Sequence, residues 1–508
     1  MKRNIIYIAL GAIALTMTPS CTDFLKENPQ TFESPDNYYT TQEEMQKAVN
    51  GCYGTSTSDY IQGLPCMFQG MIGLGMNGHI YLEGMTGYSD RLTATNYRDM
   101  GFLLPLDQTT DGYNSNFWKG YYKSIENCNS TIKGIEGSTA ESVSEDTRSA
   151  LLAEVYFLRA YYYYRLVTLF GPVPYKTTPT TGTAGTDLAP DSEQTVFEGI
   201  ASDLEHAETL AEKMAWSRND GHVSKGAIKS LLAKVYLTMA GYPLQQTDCY
   251  AKAYAKAKEV VASKAFSLGS YADLSDPAKE NSGEIIFAIQ REGQHASNSV
   301  SACLLPITNP KVADNINNAD ALAPAIEFLD GFEAADARVN AFFTDSFTTY
   351  KGETVHTERK YITKYFDPSG LPNGQYGLDY ILIRYADILL VMAEAKVMAD
   401  GGTTTDADAI AAFQQVHGRA FAGAAAPASL DFDTVYKERV WELCYENQTW
   451  FDMLRTRKAY DPVNKTVVNF LGYTAPGHAH VGSGAFTTTD IYLPYPVREK
   501  RLNPNLKR

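Results

Sequence analysis

Stripes of apolar residues at helical spacing recur along this chain of 508 residues, and they recur as neighbours. Leu151, Val155, Leu158, Tyr162, Leu166 and Leu169 share one face; a Ser142-x-x-Glu145 capping box opens that helix and Gly171-Pro172 ends it. Beyond a Thr/Gly/Pro connection, Thr195-x-x-Glu198 opens a second helix striped by Phe197, Ile200, Leu204, Ala207 and Ala211. A third runs from Ser224 through Ile228, Leu231, Val235 and Met239 to Gly241, and a fourth carries Tyr250, Tyr254, Ala257 and Val261. Near the C-terminus the pattern predicts helices over 381–399, 406–421 and, as one long element, 434–458. An amphipathic helix gains most of its stability from packing its stripe, so successive helices must stack on one another. Small residues at the stripes (Ala227, Ala233, Ala386, Ala393, Ala395) let them approach closely. The expected fold class is mainly α, a tetratricopeptide-like helix-pair scaffold over about 120–264 and 380–460.

Three stretches break the helical period. Residues 55–113 are rich in Gly, Tyr and Asn, 284–373 mix loops with short strand-like runs such as 285–289, and 473–490 are Gly/Thr/His-rich. Irregular segments of such length carry function or hidden structure, and in repeat proteins insertions gather on one face. The first two, about 55–113 and 284–373, are therefore the expected ligand-binding insertions.

The N-terminus reads as an address. Lys2 and Arg3 precede an apolar run over 5–17, followed by Thr18-Pro19-Ser20-Cys21. As a helix that run rises only about 20 Å, short of a hydrocarbon core of about 30 Å. Residues 1–20 are thus expected to be a signal peptide, with Cys21 lipidated as in a bacterial lipobox. The formal net charge of −15 argues against nucleic acid, which needs clustered Lys and Arg. The other six cysteines are scattered without a C-x-x-C pair, so buried free thiols are expected rather than a disulfide framework.

Several motifs resemble one known family, the SusD/RagB-like outer-membrane nutrient-binding lipoproteins. Leu158-Arg159-Ala160-Tyr161-Tyr162-Tyr163 with Phe170-Gly171-Pro172-Val173-Pro174 resembles its first repeat helix. Ile383-Arg384-Tyr385-Ala386-Asp387-Ile388, running into Ala393-Glu394-Ala395, resembles a later one; Glu438-Arg439, Glu442, Glu446 and Trp450-Phe451-Asp452-Met453-Leu454-Arg455 resemble the last. The resemblance implies about four helix pairs in a single domain over 21–508. It also implies a non-enzymatic protein, lipid-anchored in the outer membrane and facing the cell exterior. Such a protein captures oligosaccharide or polysaccharide for a partner SusC-like TonB-dependent transporter. The alternatives are a peptide- or glycopeptide-capturing member of the family, a helical-repeat adaptor, or a glycoside hydrolase.

Motifs that suggest other chemistry are weak in context. Gly73-x-Gly75-x-x-Gly78 is read as a flexible loop, because Gly84 and Gly87 interrupt the helix a dinucleotide site requires. Glu438, Glu442 and Glu446 are spaced i, i+4 and read as structural ion-pairing groups rather than a catalytic pair. His478 and His480 lie in a Gly-rich loop without neighbouring ligands, so no metal or other cofactor is expected. Trp118, Trp216, Trp441 and Trp450 read as packing, which leaves ring stacking on a sugar to the 34 Tyr. The expected ligand-binding residues are Asn77, Tyr81, Tyr88, Asp90, Arg91, Asn96 and Tyr97, with Phe347 and Tyr350 from the second insertion. Fatty-acid labelling checks the anchor: it is expected in the wild type and absent in Cys21→Ala.

Overall fold

A computed structural model describes residues 38–53, 76–90, 108–182, 187–293, 297–314 and 321–507. The leader, Cys21, Cys66, Arg91, Asn96 and Tyr97 lie outside the described residues.

The scaffold is a stack of helices in which each packs on the next: α1 (Gln42–Tyr53), α3 (Gln108–Glu136), α4 (Glu145–Phe170), α5 (Glu193–Leu210), α6 (Lys225–Ala240), α7 (Cys249–Ala262), α8 (Tyr385–Ala399), α9 (Ala407–Ala420) and α10 (Phe432–Glu442). From α3 to α10 this makes four helix pairs. Their boundaries follow side-chain caps. Ser144, two residues later than the Ser142 the sequence suggested, accepts from Thr147 N at 3.2 Å, and Ser192 accepts from Thr195 N at 3.1 Å. Gly171 ends α4 at φ 69°, a left-handed conformation that favours glycine.

The structure corrects three sequence-based expectations. First, residues 76–85 form a helix, α2 (Met76–Met85), instead of a loop. Its Gly84 is tolerated because Ile80, Leu82 and Met85 are buried, so packing outweighs a low intrinsic propensity. Second, the segment expected to begin a helix at 381 is a strand, β6 (Tyr380–Arg384), paired antiparallel with β2 (Ile285–Ile289). All ten residues are buried, and an Ile-rich run covered on both faces suits a strand.

Third, the single helix expected over 434–458 is broken into α10 and α11 (Thr449–Thr456). Tyr445 and Asn447 turn through φ 61° and 53° between them. Tertiary bonds hold that strained turn: Tyr445 OH donates to Tyr88 O at 2.9 Å, and Asn447 N to Glu83 Oε1 at 2.5 Å. Burial pushes the Glu83 carboxyl up to about 8, against the pull of the Asn447 N–H.

The break carries Glu446 back toward the sheet, where a buried ionic network joins scaffold to insertion. Arg384 donates to Glu446 Oε2 at 2.7 Å, to Glu442 Oε1 at 2.8 Å and to Glu284 Oε1 at 2.7 Å. Arg419 from α9 reaches Glu442 Oε1 at 2.6 Å, and Arg338 reaches Glu438 Oε1 at 2.6 Å. Burial alone would raise the Glu442 carboxyl; Arg384, Arg419 and Arg338 instead hold it well below the usual carboxylate range. The i, i+4 acids are thus structural, as read from the sequence. A second knot lies alongside, where Arg439 meets Asp452 at 2.9 Å and Arg455 meets Glu394 at 2.7 Å.

Cys52, Cys128, Cys249, Cys303 and Cys444 are buried and unpaired, in keeping with the sequence reading. Among the described residues no helix is long and apolar enough to cross a membrane. Removing one charge from a buried pair leaves its partners uncompensated, so Glu442→Gln is expected to lower stability by about 3–5 kcal/mol in urea unfolding.

Candidate functional site

Short strands join the first insertion to the second and fold the second on itself. Ser89–Asp90 (β1) pairs antiparallel with Ala323–Pro324 (β3), and Phe343–Thr348 (β4) with Thr354–Ile362 (β5). Tyr88 anchors this corner. Its hydroxyl donates to Tyr460 O and accepts from Tyr460 N, both at 2.8 Å, while its ring stacks on Phe328 at 4.9 Å. Asp90 is thereby presented beside a partly exposed polar cluster.

Four charged side chains from four segments make that cluster. Arg359 Nη2 on β5 donates to Asp90 Oδ2 at 3.0 Å. His480 Nδ1 lies 2.7 Å from Asp90 Oδ1, and its Nε2 lies 3.0 Å from Glu327 Oε1. With a carboxylate at each ring nitrogen, both nitrogens must carry hydrogen, so the geometry selects the imidazolium. The hydrogen bond His480 donates to Asp90 is the largest cause raising its pKa, opposed by partial burial and aided by Glu327. His480 reaches this position on a short helix, Pro476–Val481, not on the loop expected from sequence. That helix comes close because Gly477 has no side chain: a Cβ there would lie 2.1 Å from Ser89 O. His478 on the same helix turns inward, and burial lowers its pKa to about 4.

Two polar atoms in the cluster, Arg359 Nε and Glu327 Oε2, have no hydrogen-bond partner among the described residues. One is a donor and the other an acceptor, the pair that a hydroxyl group matches. Among the described residues no group of three or more His, Cys, Asp or Glu is arranged to hold a metal ion.

The nine residues nominated from sequence have different fates. Tyr81 is 4% exposed and packs near Phe117 at 6.0 Å, Tyr88 is 2% exposed, and Phe347 is 3% exposed with Tyr361 and Phe366 around it. These three rings serve packing. Asn77 lies on α2, and Asp90 enters the cluster. Tyr350 is partly exposed at the β4–β5 turn, its N–H bonded to Val312 O at 2.8 Å. That turn is roughly 20 Å along the hairpin from Arg359, so Tyr350 and Asp90 are not brought together. Arg359 and Glu327 escaped the sequence reading because no spacing marks them. In sequence His480 carries only the H-x-H signal of a metal ligand, although its Gly-rich surroundings allow close approach.

Comparison with known proteins places these features in context. The model of the SusD family matches residues 337–508, and a second family model, described as starch-binding associating with outer membrane, matches residues 81–237. SusD-like protein P2 from Formosa agariphila is 27% identical, covering 90% of this chain and 91% of its own. The crystal structure of a SusD superfamily protein from Parabacteroides distasonis is 30% identical, covers 91% of this chain and 98% of its own, and superposes with a TM-score of 0.81. Surface glycan-binding protein A from Bacteroides thetaiotaomicron, solved in complex with laminarihexaose, shares the fold at 18% identity and a TM-score of 0.70, covering 92% of this chain and 98% of its own.

Because its folded-state pKa is raised, His480 stabilises the corner fully below the ordinary imidazole value, and that contribution fades as pH rises through the raised one. The thermal-stability difference between wild type and His480→Ala is therefore expected to be largest near about pH 6 and to shrink as the pH rises above the raised value.

Proposed function

Since this chain belongs to the SusD superfamily, we propose that it captures oligosaccharide at the cell surface and passes it to a SusC-like TonB-dependent transporter in the outer membrane. The observation that carries the reading is the Asp90–Arg359–His480–Glu327 cluster, with its unmatched donor and acceptor. A sugar is recognised by polar groups for its hydroxyls and flat rings for its C–H faces. Arg91, Asn96 and Tyr97 follow β1 directly in sequence and supply both kinds of group. In this reading Asp90, Arg91, Asn96 and Tyr97 contact the ligand.

The site binds and does not cleave. Glycoside hydrolysis asks for one protonated and one ionised carboxyl facing across the sugar. Asp90 and Glu327 instead bond the two ring nitrogens of one histidine, His480, which sits between them where a scissile bond would have to lie. The family description, starch-binding associating with outer membrane, and the laminarihexaose complex of a structural neighbour support a glycan as ligand. A lipid on Cys21 would hold the chain at the outer face of the outer membrane and leave the site free to meet its partner.

Isothermal titration against a panel of neutral and acidic oligosaccharides tests the reading. At least one glycan is expected to bind, and Tyr97→Ala to weaken it roughly two- to tenfold through the lost ring contact. Peptide binding without any glycan binding would refute it.

A further inference from the structure

A groove of about 640 Å³ lies on the helical scaffold, between α3, residues 174–180 with Leu188, and the C-terminal segment. It shares no lining residue with the Asp90 cluster. The volume falls in the range of about 300–1,000 Å³ typical of small-ligand sites.

The walls are tied in place by hydrogen bonds. Tyr122 OH donates to Pro174 O at 2.8 Å, and Tyr495 OH to Pro172 O at 2.5 Å. Asn503 Nδ2 donates to Leu188 O at 2.7 Å, and Val497 N to Asp111 Oδ1 at 2.7 Å. Glu126 is already occupied, accepting from Thr180 N at 2.6 Å and from its hydroxyl at 2.9 Å, and Lys176 donates to that same hydroxyl.

What remains is asymmetric. Lys119 and Lys123 sit one turn apart on α3, and Glu499 sits on the opposite wall; none has an ion-pair partner among the described residues. The lining also carries apolar side chains: Trp118 and Tyr122 from α3, and Leu188 and the 65%-exposed Leu502 from the other segments. A simple anion would satisfy the lysines but meet Glu499, and a simple cation the reverse. Hydroxyl groups both accept from ammonium and donate to carboxylate, and a pyranose offers them around apolar C–H faces.

We propose that this groove is a second saccharide-binding site, taking a short stretch of oligosaccharide. The inference rests on the capture reading above and adds a second point of contact. Two sites on one rigid scaffold would hold a long glycan far more tightly than either alone, by raising the effective concentration for the second contact.

The test is isothermal titration of the full chain with laminarihexaose, maltoheptaose, a xylogluco-oligosaccharide and an oligouronate. It compares wild type, Lys119→Ala/Lys123→Ala/Glu499→Ala, and Tyr97→Ala, each first checked for an unchanged Tm. Two sites per chain are expected for a binding glycan, with the triple variant weakening one about tenfold and Tyr97→Ala weakening only the other. Hydrogen-exchange protection of 119–126 and 497–503 by the bound glycan locates the groove site independently. A single site that Tyr97→Ala weakens and the triple variant leaves intact overturns the second site while keeping the capture reading. Absence of binding to every glycan, or groove protection by an acidic peptide alone, overturns both.

Discussion

The pairing of Arg384 with Glu442 and Glu446 is the constraint around which the rest of the molecule is arranged. A guanidinium taken out of water must find several acceptors at once, and Arg384 on β6 finds them on three segments: the last residue of α10 (Glu442), the turn after it (Glu446) and the β2 edge at Glu284. Each segment is therefore located relative to the other two. Apolar packing could bury the same surface, but it would not demand this one register.

That register has consequences at the surface. For Glu446 to reach Arg384, the helix begun at Phe432 must stop and turn through Tyr445 and Asn447, and both turn residues reach back to the α2–β1 region. Tyr445 fixes the carbonyl of Tyr88, Tyr88 bonds both backbone groups of Tyr460, and Asp90 emerges two residues later. The chain of contacts from buried charge to exposed carboxylate is short and consists of directional bonds. A polar cluster mounted in this way is pre-organised, which lowers the ordering cost of binding a hydroxyl-rich ligand.

Much of the scaffold was legible because helical period and capping residues are local. The helices over 145–170, 193–210, 225–240 and 249–262 follow their stripes, and the first three start at a serine cap. Failures came where a long-range partner overrode a local signal. Ile381-Leu382-Ile383 follows the period of the helix it precedes, yet pairing with Ile285–Ile289 makes it a strand. The 434–458 period continues smoothly through Tyr445, and only the partners of Glu446 and Asn447 explain why the helix does not. Of the cluster only Asp90 was foreseen, because Glu327, Arg359 and His480 converge through tertiary structure alone.

The fate of the nominated tyrosines carries a more general argument. A Tyr in a Gly-rich insertion looks available for stacking, but an insertion too must build a core, and large rings are its most effective material. Tyr81, Tyr88 and Phe347 answer that need, Tyr88 while using its hydroxyl to fasten two backbone groups. Polar groups are the better guide to recognition here. A buried polar atom without a partner costs free energy in the unliganded protein. Arg359 Nε and Glu327 Oε2 at the cluster are such atoms, and at the groove Lys119, Lys123 and Glu499 have no ion-pair partner among the described residues.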